Sequence, residues 1–543
     1  MQKNHFIFHA IVCGLLLCLP WYEGFSGLFL CFALIPLLFI EDSYLNKLEH
    51  SGKIIFLYAS LSFLVWNIGT TWWIANASLA GAFTAIVINT FLLSVVFWLY
   101  HTTRKVIGDA LGKLSLVVYW IAFEYFYLNA EISWPWLNLG NGFAHDTLLI
   151  QWYEYTGTLG GTAWVLIINL LIFDSLKQVL RRKNSSVNLL HMLPVTLILT
   201  LPMLLSVFLY HNYSEKKNPV NIIAIQPNID PYSKFISPAT QCSNLFSLID
   251  SARAKAADYF VAPEVAITDD VWENNLEDNY SVAAIKKFMN LYPTVQFVYG
   301  SYTYKKFGDK EAKSATAKWM KNPGYYFDSY NSALQINAGM PVQKYHKSML
   351  VVGVEKIPYP KILRFAGKIV EHFGGSYASH ATQDYRGVFE SADKKTKIAP
   401  VICYESVYGE FVTGYVKGGA NLIFIITNDG WWGNTPGHRQ HLAYARLRAI
   451  ETRRSVARSA NTGISAFINQ RGELIKSLEY GRKGAIECTL NANDEKTFYV
   501  KHGDYLGWIA SIISGVIVLM LLARSFAFSK SKTSIKTRDK KPK

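Results

Sequence analysis

The sequence predicts an α-helical transmembrane bundle of eight helices joined to a single α/β domain that precedes the last of them. Three observations carry this expectation. Seven apolar runs crowd residues 1–211 and an eighth lies near the C-terminus. Residues 212–504 alternate strand-like with helical stretches, and cationic residues recur in every second loop between the runs. With 51% hydrophobic and 15% aromatic residues in a chain of 543, there is material for a membrane bundle and a separate core.

The apolar runs are 6–19, 25–40, 54–73, 82–100, 114–127, 163–176, 193–209 and 506–522. The first, second and fifth are short against the ~20 residues that cross a hydrocarbon core. Trp21, Trp72, Trp73, Trp98 and Trp134 stand near run ends, as an interfacial aromatic belt requires. Before the first run stands only Lys3, and no small-residue cleavage pattern follows it, so the run reads as a retained span.

Loop charge sets the orientation. After the second, fourth and sixth runs come Lys47 and Lys53, then Arg104, Lys105 and Lys113, then Arg181, Arg182 and Lys183. The loops after the first, third and fifth carry Glu23, nothing charged, and Glu131 with Asp146 and Glu154. Positive charge stays inside, so both termini are expected in the cytoplasm and residues 212–504 on the opposite side. The net charge of +15 is thereby a topology signal. The tail bearing Lys530, Lys532, Lys536, Arg538, Lys540, Lys541 and Lys543 reads as a cytoplasmic anchor, not a nucleic-acid arm. The expected division is a transmembrane region at 1–211, a non-cytoplasmic catalytic domain at 212–504, an eighth helix at 505–524 and a basic tail at 525–543.

Within the α/β region, strands are predicted at 220–226, 259–262, 295–304, 333–336, 398–403 and 422–427, with helices at 281–291 and 438–453. Three of its segments share one pattern, a buried-looking strand ending in a reactive side chain: Val261-Ala-Pro-Glu264, Lys344-Tyr-His-Lys347 and Val401-Ile-Cys403-Tyr-Glu405. Strand ends of α/β domains are where sites assemble. A thiol attacks only as thiolate, a neighbouring carboxylate can take its proton, and a lysine can stabilise an oxyanion. Singly each residue has a blander reading, as a small core thiol, a helix cap and a solvated lysine.

Cys13, Cys18 and Cys31 fall in apolar runs, and Cys242, Cys403 and Cys488 in the polar half, where an odd count leaves at least one thiol unpaired. His101, His145, His438 and His441 show no metal-ligand spacing and no glycine-rich phosphate loop follows a strand, so neither metal nor cofactor is expected. Glu124, inside an apolar run, is either a functional carboxylate or a helix anchor. Arg446, Arg448, Arg453, Arg454 and Arg458 could meet phosphate headgroups, but a charge run on a helix reads first as a solvated face.

Taken together these segments resemble the nitrilase superfamily, and more closely the apolipoprotein N-acyltransferase family, which joins a nitrilase-like domain to eight membrane helices. The residues that carry the resemblance are Ile225-Gln-Pro-Asn-Ile229, Ala262-Pro-Glu264, Tyr345-His-Lys347, Leu350-Val, Glu355-Lys-Ile-Pro358, Cys403-Tyr-Glu405, Asn428-Asp-Gly-Trp-Trp-Gly433, the stretch from His438 through Arg446 to Asn461-Thr-Gly463, and Trp134-Pro-Trp-Leu-Asn138. They occur in the family's order along most of the chain. Two departures stand out: Leu350-Val-Val-Gly-Val-Glu355 replaces the common Leu-Val-Pro-Phe-Gly-Glu, and Phe235 stands where tryptophan is common.

The resemblance implies an αββα sandwich with Glu264 as general base, Lys347 as oxyanion stabiliser and Cys403 as nucleophile. It gives Glu355, Tyr404 and Glu405 supporting roles, and Phe235, Trp431 and Trp432 are possible substrate contacts. It further implies ping-pong transfer of an acyl chain from a phospholipid, through a Cys403 thioester, to the α-amino group of a diacylglyceryl-cysteine on an apolipoprotein, at the bacterial inner membrane. Two other readings are weighed against it: a membrane-tethered amidase using the same triad, and a transporter or receptor whose outer domain only binds.

Overall fold

The computed structural model describes residues 3–47, 51–181, 189–232, 236–252, 256–357, 359 and 379–538. Among these, eight helices are long and apolar enough to cross a membrane. The membrane helices used below are α1 (Lys3–Cys18), α2 (Ile35–Leu45), α3 (Ser51–Thr71), α4 (Leu79–Ile107), α5 (Asp109–Asn129), α6 (Tyr153–Arg181) and α7 (Leu189–Asn212). The runs that looked short are lengthened by neighbouring turns, as where residues Gly27–Phe29 and Leu30–Ala33 lead into α2. Arg104, expected as a loop charge, instead lies buried at the end of α4, where it pairs with Glu41 and, at 2.9 Å, with Asp42. Helix α4 simply outruns its apolar stretch, and the guanidinium needs carboxylate partners inside the bundle.

The α/β region folds as two facing sheets. In one, the order is β14 (Gly484–Asn491), β1 (Pro219–Gln226), β2 (Tyr259–Val261), β4 (Gln296–Lys306), β6 (Tyr325–Ile336) and β5 (Lys318–Met320), with β3 (Ile267–Trp272) on β4 and β7 (Gln343–His346) on β6. The other runs β13 (Leu474–Leu478), β12 (Ser465–Ile468), β11 (Val456–Ala460), β10 (Leu422–Thr427), β9 (Lys397–Ile402) and β8 (Phe389–Glu390). Strands β9, β10 and β11 pair in parallel, and the apolar run Leu422-Ile-Phe-Ile-Ile426 of the central β10 reflects burial on both faces.

Helices α8 (Pro238–Ser251) and α9 (Tyr280–Met289) cover the first sheet, while α10 (Gly409–Lys417) and α11 (Pro436–Thr452) cover the second, giving an αββα sandwich. The last membrane helix, α12, is Tyr505–Arg538. Helix α11 is wedged between the second sheet and the bundle, where it packs on α6.

That wedge overturns the solvated reading of the arginines. Arg448, Arg453, Arg454 and Arg458 are all buried, because protein meets every face of the segment. Arg453 donates to Glu154 at 2.7 Å and to Gln151 at 2.6 Å on the membrane side, and Arg454 donates to the backbone carbonyls of Ala420 and Glu495. Half-buried Arg446 holds the carbonyl of Gly472 at 2.8 Å. The aromatic belt needs a similar correction: Trp21 and Trp73 are buried where the two parts of the chain meet, each hydrogen-bonded to α11 through Tyr444 and Gln440.

Candidate active site

Each of the three reactive segments ends its strand differently. Past β2, the chain turns sharply at Glu264 and Val265, the latter at φ 47°. Gly300 on β4 permits that turn, since a Cβ there would stand 2.6 Å from the Cα of Glu264. Past β7, the Lys347 N–H donates to the Asn331 carbonyl at 2.8 Å. Past β9, Cys403 itself takes φ 50° and opens a short 3-10 turn, Cys403–Val407. A non-glycine residue in this left-handed region costs on the order of 1–2 kcal/mol, so the neighbouring contacts must hold it there.

These turns converge. The Lys347 ammonium lies 2.9 Å from Glu264 Oε1 and 2.9 Å from Glu355 Oε1. Asn331 Nδ2 donates to the same two carboxylates at 2.8 and 2.9 Å, and the Asn428 N–H reaches the other oxygen of Glu264 at 3.2 Å. The altered loop therefore still delivers Glu355 to Lys347, and the Val351 N–H pins its second oxygen at 2.8 Å. Lys347 is 1% exposed, and an ammonium so buried is tolerable only between opposite charges.

Burial alone would lower the Lys347 pKa, but Glu264 and Glu355 outweigh it and hold the group well above the lysine range. Burial works to raise Glu355, and Lys347 overrides it, so that carboxyl sits below its usual range. The Cys403 thiol is pushed well up, first by burial, then by the Glu264 carboxylate, with Lys347 opposing. Its resting form is the thiol, which needs a base before it can attack.

Cys403 also opens on a cavity of about 440 Å³ between the sandwich and the bundle. Trp73, Trp134, Trp136, Tyr404 and Trp432 wall it, and the N-terminal half of α4 contributes small residues including Gly81 and Ala85. Tyr404 stacks on Trp134 and donates to the Ser133 carbonyl at 3.1 Å. Trp431 is not among the lining residues. It is 42% exposed and packs edge-on against Tyr232. Phe235 lies outside the described residues.

Asn331 was missed in the sequence. Its signal is a polar residue in the middle of the buried run of β6, and such a group demands partners.

A carbon-nitrogen hydrolase family model matches residues 223–497 of the chain, and a model of the apolipoprotein N-acyltransferase N-terminal domain matches residues 13–171. An apolipoprotein N-acyltransferase of Chlorobaculum tepidum is 26% identical over 505 residues, covering 91% of each chain. Another, of Thermotoga maritima, is 24% identical over 534 residues, 95% of this chain and 93% of its own. A third, of Agrobacterium fabrum, is 39% identical over 203 residues, 36% of this chain and 37% of its own.

Proposed function

The chain belongs to the carbon-nitrogen hydrolase family and carries the N-terminal domain of the apolipoprotein N-acyltransferases, and from that premise we propose that it transfers an acyl chain from a phospholipid, through a thioester on Cys403, to the α-amino group of an apolipoprotein's N-terminal diacylglyceryl-cysteine. One observation carries the donor half of this reading: Cys403, whose thiol is subject to the charges of Glu264 and Lys347, lines an apolar cavity that faces membrane helices. A hydrolase of small polar amides has no use for such a wall. A lipid acyl chain does.

In the first half-reaction Glu264 takes the Sγ proton and the thiolate attacks the ester carbonyl carbon. Lys347, fixed by two carboxylates, faces the charge that develops on the carbonyl oxygen. The C–O bond then breaks and Glu264 returns the proton to the departing lysophospholipid oxygen, leaving the acyl thioester. In the second half-reaction the lipoprotein amine attacks that thioester, Glu264 accepts a proton from the nitrogen and passes it to Sγ as the C–S bond breaks, leaving an amide and the Cys403 thiol. The tryptophan and tyrosine wall keeps water from the thioester between the two steps.

The alternation of loop charge supports an inner-membrane topology with the sandwich on the periplasmic side and both termini in the cytoplasm. The domain limits 1–211, 212–504, 505–524 and 525–543 belong to the same proposal.

Intact-mass measurement after incubation with phospholipid should find one acyl chain on Cys403, discharged by a diacylglyceryl-cysteine peptide. Undiminished N-acylation by Cys403→Ser would overturn the thioester route, and release of free fatty acid without lipopeptide product would favour a hydrolase.

A further inference from the structure

Two adjacent residues of α11, Gln440 and His441, are buried, and the 100° step between consecutive helical positions aims them at different neighbours. His441 faces the nucleophile turn. Its Nδ1 lies 2.9 Å from Asp429 Oδ1 and 3.1 Å from Arg458 Nη2, and its Nε2 lies 2.9 Å from Ser406 Oγ and 3.2 Å from the Cys403 carbonyl. The Ser406 hydroxyl also reaches that carbonyl at 2.7 Å. Asp429 is held in turn by Thr427 at 2.9 Å and by Arg458 at 2.6 Å. The backbone of the residue with φ 50° is thus gripped by a side-chain chain rooted in two strands, β10 and β11.

Gln440 faces the cavity wall. Its Oε1 accepts from the indole N–H groups of Trp73 at 3.2 Å and Trp136 at 2.8 Å, and its Nε2 donates to the carbonyls of Trp21 at 3.2 Å and Thr70 at 3.3 Å. Two donated and two accepted bonds use the amide's hydrogens and both lone pairs. Trp73 comes just after α3 and Trp136 follows α5, so a single side chain of the sandwich sets two tryptophans contributed by the membrane part.

We propose that His441 and Gln440 are paired positioning residues, the first holding Cys403 in its attacking geometry and the second holding the wall that receives the acyl chain, so that one helix registers nucleophile against substrate. The inference rests on the thioester reaction proposed above. It requires that the two residues affect different kinetic parameters, because one acts on the attacking group and the other on the bound chain.

The test follows acyl-adduct formation on full-length protein in detergent by intact mass, over a range of phosphatidylethanolamine concentrations. An absence of adduct on the wild type would fail the functional reading itself and this inference with it. Given a wild-type adduct, His441→Ala slows acylation at saturating lipid by about tenfold or more with little change in half-saturation, and His441→Gln, which keeps a hydrogen-bonding amide where the ring stood, recovers most of the rate. Gln440→Leu raises half-saturation by about fivefold or more while the saturated rate stays within about twofold. Thermal unfolding checks that each variant is folded. Ser406→Ala and Trp136→Phe, smaller changes on the same two chains, reproduce the two behaviours if either larger substitution fails to fold. Wild-type acylation by Ser406→Ala, no recovery in His441→Gln over His441→Ala, or indistinguishable effects of the two sets on rate and half-saturation overturns the inference.

Discussion

The carboxylate of Glu405 accepts the backbone N–H of Ser348 at 2.7 Å, tying the turn after Lys347 to the turn that begins at Cys403. Its other oxygen accepts the Ile402 N–H at 2.8 Å, and the hydroxyls of Tyr345 and Tyr415 complete the set at 2.7 and 3.1 Å. The group is fully buried. Burial raises its pKa, and the N–H and hydroxyl donors oppose that rise.

Glu405→Ala would strand these donors, and an unpaired buried donor costs about 1–3 kcal/mol. A loss of about 3 kcal/mol or more is therefore expected, read as a lower thermal midpoint in detergent. Glu405→Gln keeps the volume and costs less, but its amide N–H group opposes one of the donors. Acylation of the proposed nucleophile slows in both. Wild-type acylation rates in the two variants would show that Glu405 does not set the spacing between the turns.

Lys347 gives a signed pH dependence. Its folded pKa lies above the unfolded one, so its ion pairs contribute fully below the ordinary lysine value of about 10.4 and fade as pH rises through the folded value. Glu355 has the opposite sign: its folded value is lowered, so its contribution is complete above about 4.3 and fades as pH falls through the folded value. Glu355→Gln removes one of the two carboxylates that hold the Lys347 proton. The alkaline limb of the acylation rate should then move to lower pH, measured as acyl adduct formed against pH. A limb that stays in place or moves upward contradicts the pairing as the source of the shift.

The periodic features were legible in the sequence, and the contacts between distant segments were not. Strand β10 was expected at 422–427 and runs Leu422–Thr427, because five successive buried apolar residues between Asn421 and Thr427 leave little freedom. Strand β6 was expected only at 333–336 but begins at Tyr325, since its first half carries Asp328, Ser329 and Asn331, whose polarity hides a strand until their partners are known. The same blindness covers α11. The arginines on it and just after it match an exposed face, and only partners distant in sequence, Glu154 and Gln151 of the membrane part for Arg453 and the Ala420 and Glu495 carbonyls for Arg454, make them structural. Glu264, Lys347 and Cys403 stand out in the sequence because each follows a strand-like segment, β2, β7 and β9 respectively. Asn331, which bridges Glu264 and Glu355, stands within a strand, and its polarity becomes a signal only once the burial of β6 is known.

Glu124 is resolved as an anchor by its partners. It accepts from Trp120 Nε1 at 3.1 Å, the Leu139 N–H at 2.9 Å and Thr162 Oγ1 at 2.7 Å, which ties α5 to α6 and to the segment after Trp136. Glu124→Ala would orphan three buried donors and lower stability by about 3 kcal/mol or more. Glu124→Gln retains an acceptor and costs less. Both should acylate at rates within about twofold of wild type per folded molecule, since neither touches the converging turns. A selective collapse of acylation in a fully stable Glu124→Gln would instead give the carboxylate a chemical part.

The cavity makes a separate claim about substrate size. Ala85 of α4 lines it together with the tryptophans, and Cys403 stands at the same cavity. A larger side chain at 85 would occupy volume that the proposed acyl chain needs, and the tail of a long chain would lose burial worth about 0.8 kcal/mol per methylene displaced. Ala85→Phe should therefore discriminate by length. Half-saturation for phospholipids with long acyl chains should rise several-fold, the penalty should shrink as donors are shortened, and the saturated rate for a short-chain donor should stay near wild type. The comparison controls for folding, because a misfolded variant loses all donors alike. Equal penalties for short and long chains in a stable Ala85→Phe would mean that the acyl tail runs elsewhere.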